Sequence, residues 1–157
     1  MLLKYKNLTP KRLYLGMSNK HALRLVYREK RKALSTAQRA HASAAILEHV
    51  VAENLIKEGP VMLYIDSSNH QELPMEKWFD AVEQYQICVP KVIDTDGKME
   101  AVIWEKEIPI QSNPWGIPEP LSSIYINPKN IATIVIPLLC FCLLYTSPSP
   151  RDRQKSR

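Results

Sequence analysis

Glycine is scarce, with four residues in a chain of 157. The sequence holds no G-x-G-x-x-G and no Walker-type loop, so it brings no phosphate-cradling turn of its own. Cysteine is scarcer still: Cys88, Cys140 and Cys142. Three thiols build no disulfide framework, and an odd count without a secretion signal fits a reducing cytoplasm. Cys-Phe-Cys at 140–142 is not the Cys-x-x-Cys of a redox or zinc pair, and no histidine lies near it. Long apolar runs are missing too. The longest, residues 134–144, is broken by Pro137, which excludes a membrane span. The first sixteen residues scatter basic side chains where a signal peptide needs a continuous apolar core. There is no G-x-S-x-G and no histidine–carboxylate metal spacing. His21, His41, His49 and His70 are dispersed along the chain and read as solvated surface.

What is present is a globular composition, 45% hydrophobic and 24% charged, in a length that suits one domain. The net charge of +5 invites a nucleic-acid reading, but its distribution argues otherwise. Residues 1–16 carry four basic side chains and no acid, and residues 142–157 carry four and one acid. Between them thirteen basic residues face fifteen acidic ones, a net of −2. A phosphate-backbone binder concentrates charge on its folded face.

Residues 19–34 have the pattern of a helix with Leu23, Val26, Tyr27 and Leu34 near one face. Ser35 opens a second helix through a capping box with Gln38. Its buried stripe is read as Ala40, Ala44, Leu47, Val51 and Leu55, and its end as Gly59-Pro60. Strands are expected at 61–65, 86–90, 99–107 and 131–137, the last apolar enough for a mid-sheet position. A third helix is expected at 74–85, a turn at 94–98 and a long proline-rich loop at 108–123. Strand, helix, strand with buried strands implies a parallel α/β sheet covered by helices. Ligands in such folds bind at the carboxyl ends of strands.

Three places there could carry chemistry. Lys20 and Arg24, four apart on the first helix, could hold phosphates; a solvated basic face is the ordinary alternative. Glu72 falls in the polar loop after the first strand, where a carboxylate could accept N–H groups of a ligand or simply be solvated. The segment 113–120, Asn-Pro-Trp-Gly-Ile-Pro-Glu-Pro, has three prolines that stiffen it around Trp115. An aromatic ring on a stiff loop suits a flat heterocycle, unless the ring packs on the core.

Six features occur in order: Lys20, Leu23 and Arg24; R-x-x-L-S at 31–35; the Glu72 loop; Val-Pro-Lys at 89–91; W-G-I-P-E-P at 115–120; and I-V-I-P-x-x-x-F at 134–141. This order is similar to that of the 5-formyltetrahydrofolate cyclo-ligase family, also called methenyltetrahydrofolate synthetase. The resemblance spans about residues 17–141. It implies a cytoplasmic, Rossmann-like α/β enzyme, a three-layer sandwich with a mostly parallel sheet. It further implies ATP and Mg2+ as cofactors and conversion of 5-formyltetrahydrofolate to 5,10-methenyltetrahydrofolate with release of ADP and phosphate. In the family the formyl oxygen takes the γ-phosphoryl group, N10 attacks the activated carbon, and phosphate leaves. Carried over, Lys20 and Arg24 would bind ATP, Glu72 would bind the pterin side of the folate, and Trp115 would lie near that site. A monomer without nucleic-acid or membrane partners is expected.

The family continues after its final Phe with an R-x-G-x-G-x-G-Y-Y-D stretch, which is not found here. One choice of codons for residues 142–152 reproduces a transposase-type sequencing adapter, so residues 142–157 are expected to be translated adapter and the fold to lack its C-terminal part. Family chains start near Met17, which makes residues 1–16 an expected extension. The catalytic residues belong to the absent motif, so the intact parent is expected to be active and this chain inactive. The competing expectation is a small basic RNA-associated module using the first helix and both tails. The charge distribution and the lack of aromatics interleaved with basic residues oppose it.

Overall fold

The computed structural model describes residues 20–140. The expectations for residues 1–16 and 142–157, for a start at Met17, and for Phe141 and Cys142 lie outside the described residues. The chain divides into two compact units. The described parts of the first are residues 20–33 and 138–140; the second is Leu34–Pro137.

In the first unit, helix α1 (Lys20–Lys32) turns Leu23, Val26 and Tyr27 partly inward and leaves Arg24 and Arg28 exposed, as the spacing predicts; it ends before Leu34, which is exposed and not on that face. Arg31 Nη2 donates to the Leu138 carbonyl at 2.7 Å, and Lys30 Nζ stands 4.8 Å from the centre of the Tyr27 ring.

In the second unit, helix α2 (Thr36–Ala52) begins at the expected capping box. Gln38 N–H donates to Ser35 Oγ at 3.2 Å, and Ser35 N–H donates to Gln38 Oε1 at 2.8 Å. It ends earlier than Gly59-Pro60. Asn54 takes φ 50, Leu55 N–H reaches the Val50 carbonyl and Asn54 N–H the Val51 carbonyl, both at 3.0 Å. This is a left-handed Schellman stop, which Asn tolerates well. The stripe also differs from expectation. Leu47 and Val50 pack on the core and Ser43 is buried, whereas Ala40, Val51 and Leu55 are exposed. The helix is apolar on several sides, so the partner decides the phase. Trp78 Nε1–H donates to Ser43 Oγ at 3.0 Å, and Ser43 Oγ donates to the Pro74 carbonyl at 2.6 Å.

Across its width the main sheet runs through residues 125–126, 99–103, 87–92, 61–62 and 133–134. Its strands are β1 (Val61–Met62), β2 (Ile87–Val92), β3 (Met99–Ile103), β6 (Tyr125–Ile126) and β7 (Thr133–Ile134). Strand β1 runs parallel to β2 and β7, whereas β3 is antiparallel to β2 and β6. The result is a mixed α/β sheet with equal parallel and antiparallel halves. Among the described residues strand β7 is an edge strand, not a mid-sheet one, and Ile134 and Ile136 are exposed. An apolar run reports what its faces can bury and does not count its neighbours. Helix α3 (Glu76–Ala81) is shorter than expected and runs on as turns to Tyr85. The core joins Val61, Leu63 and Tyr64 to Met75, Trp78 and Val82. The expected loop at 108–123 contains an antiparallel ribbon, β4 (Ile110–Ser112) with β5 (Pro118–Pro120).

Candidate functional site

The site is built at the carboxyl ends of β1 and β2. After β1 the chain turns through a short 3-10 helix (Ser68–His70). Asp66 Oδ1 accepts from Met75 N–H at 3.0 Å, fixing the start of α3. Ser67 N–H donates to Glu72 Oε2 at 3.0 Å, and Ser67 Oγ lies 2.9 Å from His70 Nδ1. Glu72 therefore closes its own loop. Gln71 between them takes φ 50, a strained region for a side chain of that size, and its buried Oε1 has no partner among the described residues.

After β2 the geometry follows from strand parity. Leu63 N–H donates to the Cys88 carbonyl, and Val61 N–H to the Gln86 carbonyl, so even-numbered β2 residues face β1. Within β2, strand β1 pairs only with Ile87 and Cys88, which leaves Pro90 and Val92 beyond its end. Pro90 has no N–H to satisfy. Val92 N–H is satisfied by the Glu119 carboxylate at 2.9 Å. Lys91 Nζ donates to the Ser122 carbonyl at 2.8 Å. Together these bonds hold the β4–β5 ribbon against the end of β2.

The ribbon's tip is pre-shaped, as its prolines suggest. Asn113 Oδ1 accepts from Trp115 N–H and Ile117 N–H, each at 3.0 Å, and Gly116 takes φ 74. Trp115 is 49% exposed, so it is not packed in the core. It lines a cavity of about 620 Å³ with Lys91, Val92, Asn113, Glu119 and Leu121, a volume in the range of small-molecule sites. Glu72 does not line that cavity. Its loop nevertheless meets the ribbon tip: a β-carbon built on Gly116 would stand 3.1 Å from Asn69 Nδ2. A second cavity, about 690 Å³, lies by Ile87 and Trp104 at the amino end of β2 and contains none of the expected residues.

Glu72 and Trp115 thus share the second unit on adjoining loops. Lys20 opens α1 and Arg24 is exposed on it, both in the first unit. Two residues at the site were not read from the sequence. Lys91 was visible only as part of a Val-Pro-Lys strand end, and Glu119 only as part of W-G-I-P-E-P. Among the described residues no group of three or more His, Cys, Asp or Glu stands ready for a metal ion. Burial pushes the Cys88 thiol up to about 11, so it is no nucleophile near neutral pH. No helix among the described residues is long and apolar enough to cross a membrane.

The sheet, its covering helices and the ribbon define an α/β protein with a ligand-sized cavity beside the strand ends. No family model and no curated protein matches the chain. Among solved structures, the NMR structure of Aquifex aeolicus 5,10-methenyltetrahydrofolate synthetase is similar, with a TM-score of 0.61 and 21% identity over 87% of this chain and 72% of that one. At that identity the likeness is one of fold.

Proposed function

We propose that this chain carries the folate-binding part of a 5-formyltetrahydrofolate cyclo-ligase. The observation that carries the reading is the meeting of two loops. The Glu72 loop and the Trp115 tip adjoin at Asn69 and Gly116, at the strand ends where such sheets bind ligands. The order of sequence features from Lys20 to the 134–141 segment and the similarity in fold to a methenyltetrahydrofolate synthetase support it.

In this reading Trp115 offers its exposed face to the pterin ring, and Glu72 accepts hydrogen bonds from the pterin N–H groups. Lys20 and Arg24 take the phosphates of ATP, Arg bidentately and Lys as a point charge. Mg2+ arrives with the nucleotide, held by phosphates and water more than by protein carboxylates. The sheet is then the larger part of a Rossmann-like three-layer sandwich, and the reaction is the cytoplasmic cyclisation of 5-formyltetrahydrofolate by a monomer.

Two measurements test this. Binding of 5-formyltetrahydrofolate is measured on the chain as it stands. Turnover is followed as ATP-dependent near-ultraviolet absorbance of methenyltetrahydrofolate, using a chain extended past Phe141 from its source DNA. Saturable binding with turnover in the extended chain is expected; a folded extended chain without turnover would refute the enzyme reading.

A further inference from the structure

A buried carboxylate that the proposed reaction does not call on sits at the hub of the site. Glu119 is 8% exposed. Burying a carboxylate is costly unless donors surround it. Here a single oxygen, Oε1, accepts both Val92 N–H at 2.9 Å and Asn113 Nδ2–H at 2.8 Å. The first donor is the orphan amide beyond the end of β1. The second belongs to the side chain whose other atom, Oδ1, accepts from Trp115 N–H and Ile117 N–H. An unbroken relay therefore runs from the β2 backbone through Glu119 and Asn113 to the backbone of Trp115. Pro118 and Pro120 flank Glu119 and restrict the backbone on both sides of it.

We propose that Glu119 is a positioning residue that sets the orientation of the Trp115 ring at the mouth of the cavity, and through it the affinity for the folate. The effect on folate affinity rests on the proposed function. What singles out Glu119 is where its two donors lead: one is the backbone at the end of β2, the other the side chain that holds the Trp115 turn. A charged acceptor shared by two donors fixes direction as well as distance, and its bonds are stronger than neutral ones. The relay gives the exposed ring a rigid base in the sheet, while its face stays open.

The test uses the full chain labelled with 5-fluorotryptophan, whose three tryptophans give three fluorine resonances; Trp115→Phe assigns one of them. Glu119→Ala is expected to shift and broaden the Trp115 line alone and to weaken 5-formyltetrahydrofolate binding about tenfold. Glu119→Gln is expected to restore both, because an amide oxygen can accept the same two bonds. Native Trp78 and Trp104 lines certify the fold. A folded Glu119→Ala chain with an unmoved Trp115 line would overturn the proposal. Should Glu119→Ala unfold, Asn113→Asp decides. It keeps the turn's acceptor oxygen, removes the donor to Glu119, and is expected to move the Trp115 line; no movement overturns the proposal. A moved line in chains that never bind the folate supports the positioning and refutes the functional reading.

Discussion

A β-carbon added to Gly116 would stand 3.1 Å from the amide nitrogen of Asn69. The ribbon tip and the loop after β1 therefore adjoin, the one carrying Trp115 and the other Glu72. Gly116 also has φ 74, a conformation that side chains other than glycine resist. Gly116→Ala is therefore expected to cost about 1–2 kcal/mol, read as a lower urea midpoint at unchanged slope. Adding Asn69→Gly should recover only the contact part of that loss, because the backbone strain remains.

Trp115 is half-exposed, so its removal should leave the fold intact. Trp115→Ala is expected to weaken 5-formyltetrahydrofolate binding about tenfold or more, the loss of one stacked aromatic face. The melting temperature should change little. Calorimetric titration beside a thermal melt separates the two effects.

Ser43 is the buried polar link between α2 and the start of α3. Ser43→Ala strands the Trp78 indole N–H and the hydrogen-bonding capacity of the Pro74 carbonyl. Leaving buried groups unpaired costs about 1–3 kcal/mol. The expected result is a lower unfolding free energy with unchanged ligand affinity in the remaining folded chain, since Ser43 does not line the Trp115 cavity.

Cys88 gives the fold an alkaline limit. Its thiol is buried and its pKa is raised from 9.0 to about 11. The unfolded thiol ionises first as pH rises, so the thiolate favours the unfolded chain. This contribution is whole below about pH 9 and is lost as pH climbs towards 11. Unfolding free energies measured at several points from about pH 8 to 11 should fall more steeply for the wild type than for Cys88→Ala. Thiol labelling of the native chain near neutral pH should modify exposed Cys140 and spare Cys88.

Local chemistry made part of this structure legible. The capping box at Ser35 and Gln38 is a contact three residues long, and it formed where the sequence places it. The apolar runs at 61–65 and 86–90 hold neighbouring parallel strands, the first shortened to Val61–Met62 and the second running as Ile87–Val92, because burial dominates there. The end of α2 differs from the expected Gly59-Pro60 because Asn54 can stop a helix as well as Gly59 can. The burial of Ser43 is not legible in the sequence because its polarity argues for the surface and its partners lie 31 and 35 residues away. The ribbon strands β4 and β5 were hidden in a proline-rich, mostly exposed segment that gives no period-two signal.

The candidate site divides in the same way. Trp115 and Glu72 stand on adjoining loops, but Glu72 hydrogen-bonds within its own loop and does not line the cavity. Glu119 could not be found by spacing. Its role depends on the Val92 amide, which falls to Glu119 because the pairing of β1 with β2 ends at Cys88. Such a fact exists only once the sheet is assembled.

The most direct measurement is a titration of the full chain, its native fold certified by the Trp78 and Trp104 fluorine lines, with 5-formyltetrahydrofolate. Saturable one-to-one binding, with a dissociation constant between about 1 μM and 1 mM and the Trp115 line moving in step with occupancy, is the result expected. A folded chain that shows no saturation at several-fold higher concentration, or that binds without any change at Trp115, would contradict the folate site assigned to the strand ends.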